Sequence, residues 1–125
     1  MIPSEELENL IKLHNESREK VFLFKRNSLT KDDMLMKYAQ QWADYMADTT
    51  KLKHSKMKSI MSLGFSTAGE NISYGQKDSE EAMRTWLKSP GHRSNILNSS
   101  YNSIGCGVSI AENGTPYWCV CFGKK

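Results

Sequence analysis

Two short runs near the end of the chain, Ile104-Gly105-Cys106-Gly107-Val108-Ser109 and Tyr117-Trp118-Cys119-Val120-Cys121-Phe122, flank an Asn113-Gly114 pair. Strand-forming residues on either side of that dipeptide are the signature of a β-hairpin, because asparagine and glycine tolerate the positive φ angles of a tight connection. If Asn113 and Gly114 fill a two-residue turn, Glu112 faces Thr115, and counting back along both strands sets Cys106 opposite Cys121. A cross-strand bridge there, a bridge from Cys106 to Cys119, and plain buried thiols are the alternatives, favoured over metal binding by Cys119 and Cys121, which share a face of the strand. With three cysteines in all, one thiol is left over in any pairing. Gly105 and Gly107, inside a strand, mark close backbone packing rather than a phosphate-binding loop.

Everything before this tail reads as helix or loop. A first helix begins near Ser4, with Glu5, Glu6 and Glu8 where carboxylates complement the positive end of the helix dipole. Leu7, Leu10, Ile11, Val21 and Phe22 follow helical spacing, and His14 and Arg18 lie on the same stripe. That placement predicts a half-buried His14 that makes a hydrogen bond, with both polar residues serving the architecture. Thr30-Lys31-Asp32-Asp33 has the pattern of a capping box, with Leu29 and Met34 spaced to form a hydrophobic staple. From there Leu35, Tyr38, Ala39, Trp42, Ala43 and Met46 give one wide apolar face. Lys51 to Gly75 shows no sustained period and is expected to be a long ordered loop, of the kind that often carries function. Within it Gly64-Phe65-Ser66-Thr67-Ala68 is similar to a nucleophile elbow but lacks the flanking strand and helix, so it too is assigned to loop. A third helix starts at Asp78 or Ser79, buries Ala82, Met83, Trp86 and Leu87, and stops before Pro90; one further turn follows around Arg93 to Leu97.

At 125 residues, with 38% hydrophobic and 25% charged, the chain fits one globular domain spanning residues 1–125. Its longest apolar stretch falls far below the roughly 20 residues that cross a bilayer, so no transmembrane segment is expected. Met1-Ile2-Pro3-Ser4-Glu5-Glu6 has neither a basic region nor an apolar core, so a signal peptide is absent or already removed. A net charge of +3, with lysines interleaved among acids, argues against nucleic acid as a partner.

Four segments stand out: Leu13-His14-Asn15-Glu16-Ser17-Arg18, Leu52-Lys53-His54-Ser55, Gly69-Glu70-Asn71-Ile72, and the run from Trp86 through Ser89-Pro90-Gly91-His92-Arg93 to Asn95-Ile96-Leu97. In order and spacing they resemble the CAP superfamily of cysteine-rich secretory, antigen 5 and pathogenesis-related proteins, in its bacterial or archaeal form. The resemblance covers nearly the whole chain. It implies an α/β fold, an α-β-α sandwich with a small antiparallel sheet between helices, and a central cleft where two histidines and two acids usually meet. The members carried over are His54, Glu70 and His92. The second acid of the animal and plant pattern is replaced by Ser89, and Ser89 and Asn71 are expected to support the cleft.

Two imidazoles and a carboxylate converging on one cleft suit zinc or another divalent cation, with His54 and His92 as ligands and Glu70 as a candidate third. The alternative is that the three brace the cleft by hydrogen-bonding one another. Histidine beside glutamate also suits water activation, which makes His54, Glu70 and His92 catalytic candidates, but no nucleophile or oxyanion donors are identifiable. The resemblance therefore favours a secreted or cell-surface binding module with a lipid, small-molecule or protein ligand over an enzyme. A metal-assisted hydrolase or peptidase using the same cleft, and a structural or adhesive domain, are the alternatives; Ser89 in place of an acid counts against the first.

Overall fold

Two glycines in one strand allow a helix to lie almost on the backbone of the sheet. In the computed structural model, which describes residues 1–21 and 24–125, α2 (Asp33–Thr49) crosses β3 (Ser103–Ile110) at Gly105 and Gly107. A Cβ on Gly105 would collide with the backbone of Leu35 and Met36, and one on Gly107 would stand 2.5 Å from Cα of Gln40. The close backbone packing expected of these glycines is found.

β3 pairs antiparallel with β4 (Pro116–Lys124), and β4 pairs antiparallel with β2 (Thr67–Tyr74). A two-residue strand, β1 (Thr30–Lys31), adds to the other side of β3 in parallel, giving the order β1-β3-β4-β2. Side chains alternate across this sheet and divide the core. Ile104, Cys106, Val108, Trp118, Val120 and Phe122 meet Leu10 and Ile11 of α1 (Pro3–Glu19), and Met83 and Trp86 of α4 (Ser79–Leu87). Tyr117, Cys119 and Cys121 face Leu35, Ala39, Ala43 and Met46 of α2 and Ile60 of α3 (Met57–Met61). The result is the expected α-β-α sandwich. Among the described residues, no helix is long and apolar enough to cross a membrane.

The hairpin departs from expectation in a way that matters. Gly114 N donates to Ala111 O and Ala111 N to Thr115 O, both at 2.8 Å, so three residues rather than two form the connection, with Gly114 at φ 89°. A type I turn closed by a left-handed glycine competes with the two-residue turn, and here it prevails. One extra loop residue slips the register by one, which moves side chains to the opposite face. Cys106 therefore pairs with Val120 and Gly105 with Cys121. All three cysteines are free and buried, Cys106 in one layer and Cys119 and Cys121 in the other, so the cross-strand bridge is not formed.

Other boundaries also shift. α1 ends at Glu19, where Arg26 N reaches back to Arg18 O at 3.0 Å; Val21 is outside the helix, and Phe22 lies outside the described residues. His14 is fully buried rather than half buried, and its Nδ1 bonds Leu10 O at 2.7 Å. The cap of α2 is Asp32, which accepts from Leu35 N at 3.0 Å, because Thr30 and Lys31 are drawn into extended pairing along the open edge of β3. Leu29, one side of the expected staple, is buried, while Met34, the other, is half exposed. The segment 51–75 is not a loop: it contains α3 and the eight-residue β2, paired along its whole length with β4. Ser66 of the elbow-like stretch leads into β2, its N–H donating to Lys124 O. α5 (Pro90–Ile96) begins earlier than the turn expected near Arg93, since Pro90 fits the first helical position.

Candidate functional site

β2 is the edge strand on its side of the sheet, and its alternation sends neighbouring side chains into different layers. Glu70 lies opposite Cys121 in register and enters the layer of α2 and α3; Asn71 points the other way, toward α5. Two histidines approach this strand from opposite layers. His54 comes from the coil between α2 and α3, which Trp42 of α2 fastens by donating Nε1–H to Lys53 O at 2.7 Å. His92 sits in the first turns of α5, its carbonyl accepting from the Asn71 amide at 3.0 Å.

The Glu70 carboxylate is fully buried yet well partnered. Its Oε1 accepts from His54 Nδ1 at 2.8 Å and from the Ser55 backbone N–H at 2.9 Å, and its Oε2 accepts from the Ser55 hydroxyl. Burying a carboxylate is costly without such donors. The His54 side chain is 58% exposed. A carboxylate at Nδ1 fixes the proton there and leaves the Nε2 lone pair free, the arrangement in which histidine serves as a metal ligand. His92 Nδ1 is buried and has no hydrogen-bond partner. Burial first, and the nearby charge of His54 second, push the His92 pKa below its ordinary value, so the ring is neutral near pH 7 and available as a donor of electrons.

Of the residues named from sequence, His54 and Glu70 are in direct contact, and His92 is close enough to His54 for their charges to interact. Asn71 supports His92 through its backbone carbonyl. Ser89 serves the junction of α4 and α5: its N–H donates to Trp86 O, its carbonyl accepts from Arg93 N, and its side chain makes no capping bond. Two further supporting residues emerge only from the fold. Ser55 holds Glu70 through two bonds, and Asn95 donates to both Glu70 O and Asn71 Oδ1, tying α5 to the edge strand. Both lie inside the segments that stand out in the sequence, and the signal available for them is adjacency alone.

A sequence model of the cysteine-rich secretory protein (CAP) family matches residues 11–122. The YkwD protein of Bacillus subtilis is 34% identical over 123 residues, covering 92% of this chain and 46% of its own length; the membrane protein YlbC of the same organism is 40% identical over 68 residues, 52% of this chain and 19% of its own. The chain thus spans less than half the length of these curated relatives. Among solved structures, an outer surface protein of Borrelia burgdorferi superposes with a TM-score of 0.86 at 24% identity, over 97% of this chain and 93% of that one. An extracellular protein of Bacillus anthracis containing an SCP domain gives 0.85 at 25% identity, over 99% of this chain and 42% of that one. The family model spans most of the chain, and the α-β-α sandwich agrees with the structural matches: the chain belongs to the CAP family of cysteine-rich secretory proteins.

Proposed function

We propose that this domain is an extracellular or cell-surface binding module whose cleft takes a divalent cation through the imidazoles of His54 and His92, with Glu70 positioning His54. The observation that carries this reading is the 2.8 Å bond between His54 Nδ1 and Glu70 Oε1, made by a carboxylate with no exposed side-chain surface. That bond orients the ring and leaves Nε2 facing away from the carboxylate, the arrangement a carboxylate imposes behind a metal-bound histidine. The unpartnered, buried Nδ1 of His92 and its neutral ring fit the same use. A zinc-class ion bound by two imidazoles would keep positions open for water or a ligand group. Glu70 is already engaged by Ser55 and His54 on both oxygens, which disfavours it as a free general base and so disfavours the hydrolase alternative. The extracellular and outer-surface relatives support placement outside the cell.

Calorimetric titration with zinc tests the reading. Wild type should bind one zinc ion more than His92→Ala or His54→Ala, and in Glu70→Gln that ion should bind about 10- to 100-fold more weakly. Equal stoichiometry in wild type and His92→Ala, or no binding in either, would end the proposal.

A further inference from the structure

Beneath the His54–Glu70 pair lies a second group of donor atoms that the imidazole site does not use. Cys119 and Cys121 are two residues apart on β4, so both thiols project from the same face of the sheet. Their Sγ atoms are 3.8 Å apart, and each lies 3.9 Å from Oε2 of Glu70. All three residues are buried, and the three donor atoms fall within 4.8 Å of one another.

These distances resemble the edges of a coordination tetrahedron. Two thiolates on a tetrahedral zinc ion, each with a bond of about 2.3 Å, stand about 3.8 Å apart, and a carboxylate oxygen at about 2.0 Å lies about 3.5 Å from each sulfur. The sulfur–sulfur edge already has that length, and the sulfur–oxygen edges close with a small turn of either side chain. A disulfide fits poorly, because residues two apart on a strand are separated by about 6.6 Å along it, whereas bridged Cβ atoms are about 3.8 Å apart. We propose that Glu70, Cys119 and Cys121 form a buried site for a soft divalent cation of the zinc class, separate from the imidazole pair and sharing only Glu70 with it. In this arrangement Oε1 continues to hold His54 and Oε2 turns to the metal, with the Ser55 hydroxyl beside the remaining position.

The charge balance favours such a site. Thiols enter such a site by giving up their protons to the metal that replaces them. Uptake is an exchange in which two S–H bonds break, two protons leave to solvent and one doubly charged cation enters, so the buried charge does not change. Sulfur ligands also select zinc, cadmium or cobalt over magnesium and calcium. The half-exposed ring of His54 touches the same carboxylate, which links the buried group to the surface.

The test is an anaerobic titration of the reduced, metal-free domain with cobalt(II). The expected result is a thiolate-to-cobalt charge-transfer band in the near ultraviolet, with two protons released for each cobalt that produces it. The band should be absent in the folded double variant Cys119→Ala/Cys121→Ala and weakened in Cys121→Ala alone. It should persist in Cys106→Ala, which removes the thiol in the opposite layer, and in His92→Ala, which removes the imidazole site. Wild-type protein saturated with cobalt but lacking the band overturns the proposal, as does an undiminished band in Cys121→Ala or in the folded double variant. Because the imidazole site has no sulfur, loss of cobalt binding without any change in the band would count only against that site.

Discussion

Ser55 clasps Glu70 twice, its backbone amide donating to one carboxylate oxygen at 2.9 Å and its hydroxyl to the other. Replacing the acid leaves two buried donors unpaired at once, each costing about 1–3 kcal/mol. Glu70→Ala is therefore expected to destabilise the domain by about 3 kcal/mol, and Ser55→Ala, which removes only the hydroxyl, by about 2 kcal/mol. Urea denaturation with an unchanged m-value measures both, and a Glu70→Ala midpoint equal to wild type would show that the clasp contributes nothing.

Acid should destabilise the protein well before its carboxylates titrate. His14 is fully buried between Trp86 and Phe122, and burial lowers its pKa from 6.5 to about 4, with the charge of Arg18 acting in the same direction against a bond to Leu10 O that opposes it. Between those values the unfolded chain binds a proton that the folded chain does not, so stability rises with pH through this window. The contribution is complete above pH 6.5, is lost progressively as pH falls toward 4, and amounts to about 3 kcal/mol. His14→Phe, which cannot titrate, should flatten the stability profile between pH 6.5 and 4.

Arg18 is a fork driven into four carbonyls. Its guanidinium donates to the backbone oxygens of Asn27, Ile96, Asn98 and Tyr101 at 2.7 to 3.2 Å, pinning the end of α1 to the chain between α5 and β3. Lysine carries the charge but lacks the planar set of donors. Arg18→Lys should cost about 2–4 kcal/mol in chemical denaturation, and retention of wild-type stability would mean that charge alone suffices.

Gly105→Ala should be among the most damaging single substitutions, because its methyl group would meet the backbone of Leu35 and Met36 rather than a flexible side chain. Separating α2 from the sheet by that much is expected to cost about 3 kcal/mol or more, or to prevent folding. Gly91→Ala is the control: nothing lies within 4 Å of its added Cβ, and its melting temperature should match or slightly exceed wild type.

α1, α2, α4 and α5 are legible in the sequence because their signals are local: Asp78 caps α4 by accepting from Glu81 N, and Pro90 breaks the chain between α4 and α5; α3, a five-residue helix with no side-chain cap, is not. β2 is not, since its inward positions hold Glu70 and Asn71, polar residues at which alternation cannot be seen, and its pairing with β4 is long-range. Similarly, Thr30 reads as a cap only while the free edge of β3, which claims its backbone, is out of view. His54 and His92 are found through their motifs, while Ser55 and Asn95 require the folded geometry, because nothing in a lone serine or asparagine announces a bond to a residue 15 or 25 positions away.

The three-residue turn at Glu112, Asn113 and Gly114 reaches further than the hairpin it closes. By slipping the pairing one place, it separates the thiol of Cys106 from those of Cys119 and Cys121 by the thickness of the sheet. The domain consequently has no internal disulfide for reducing or oxidising surroundings to break. It should fold to the same structure in a cytosolic expression host as outside the cell, without an oxidase or an isomerase to assist it.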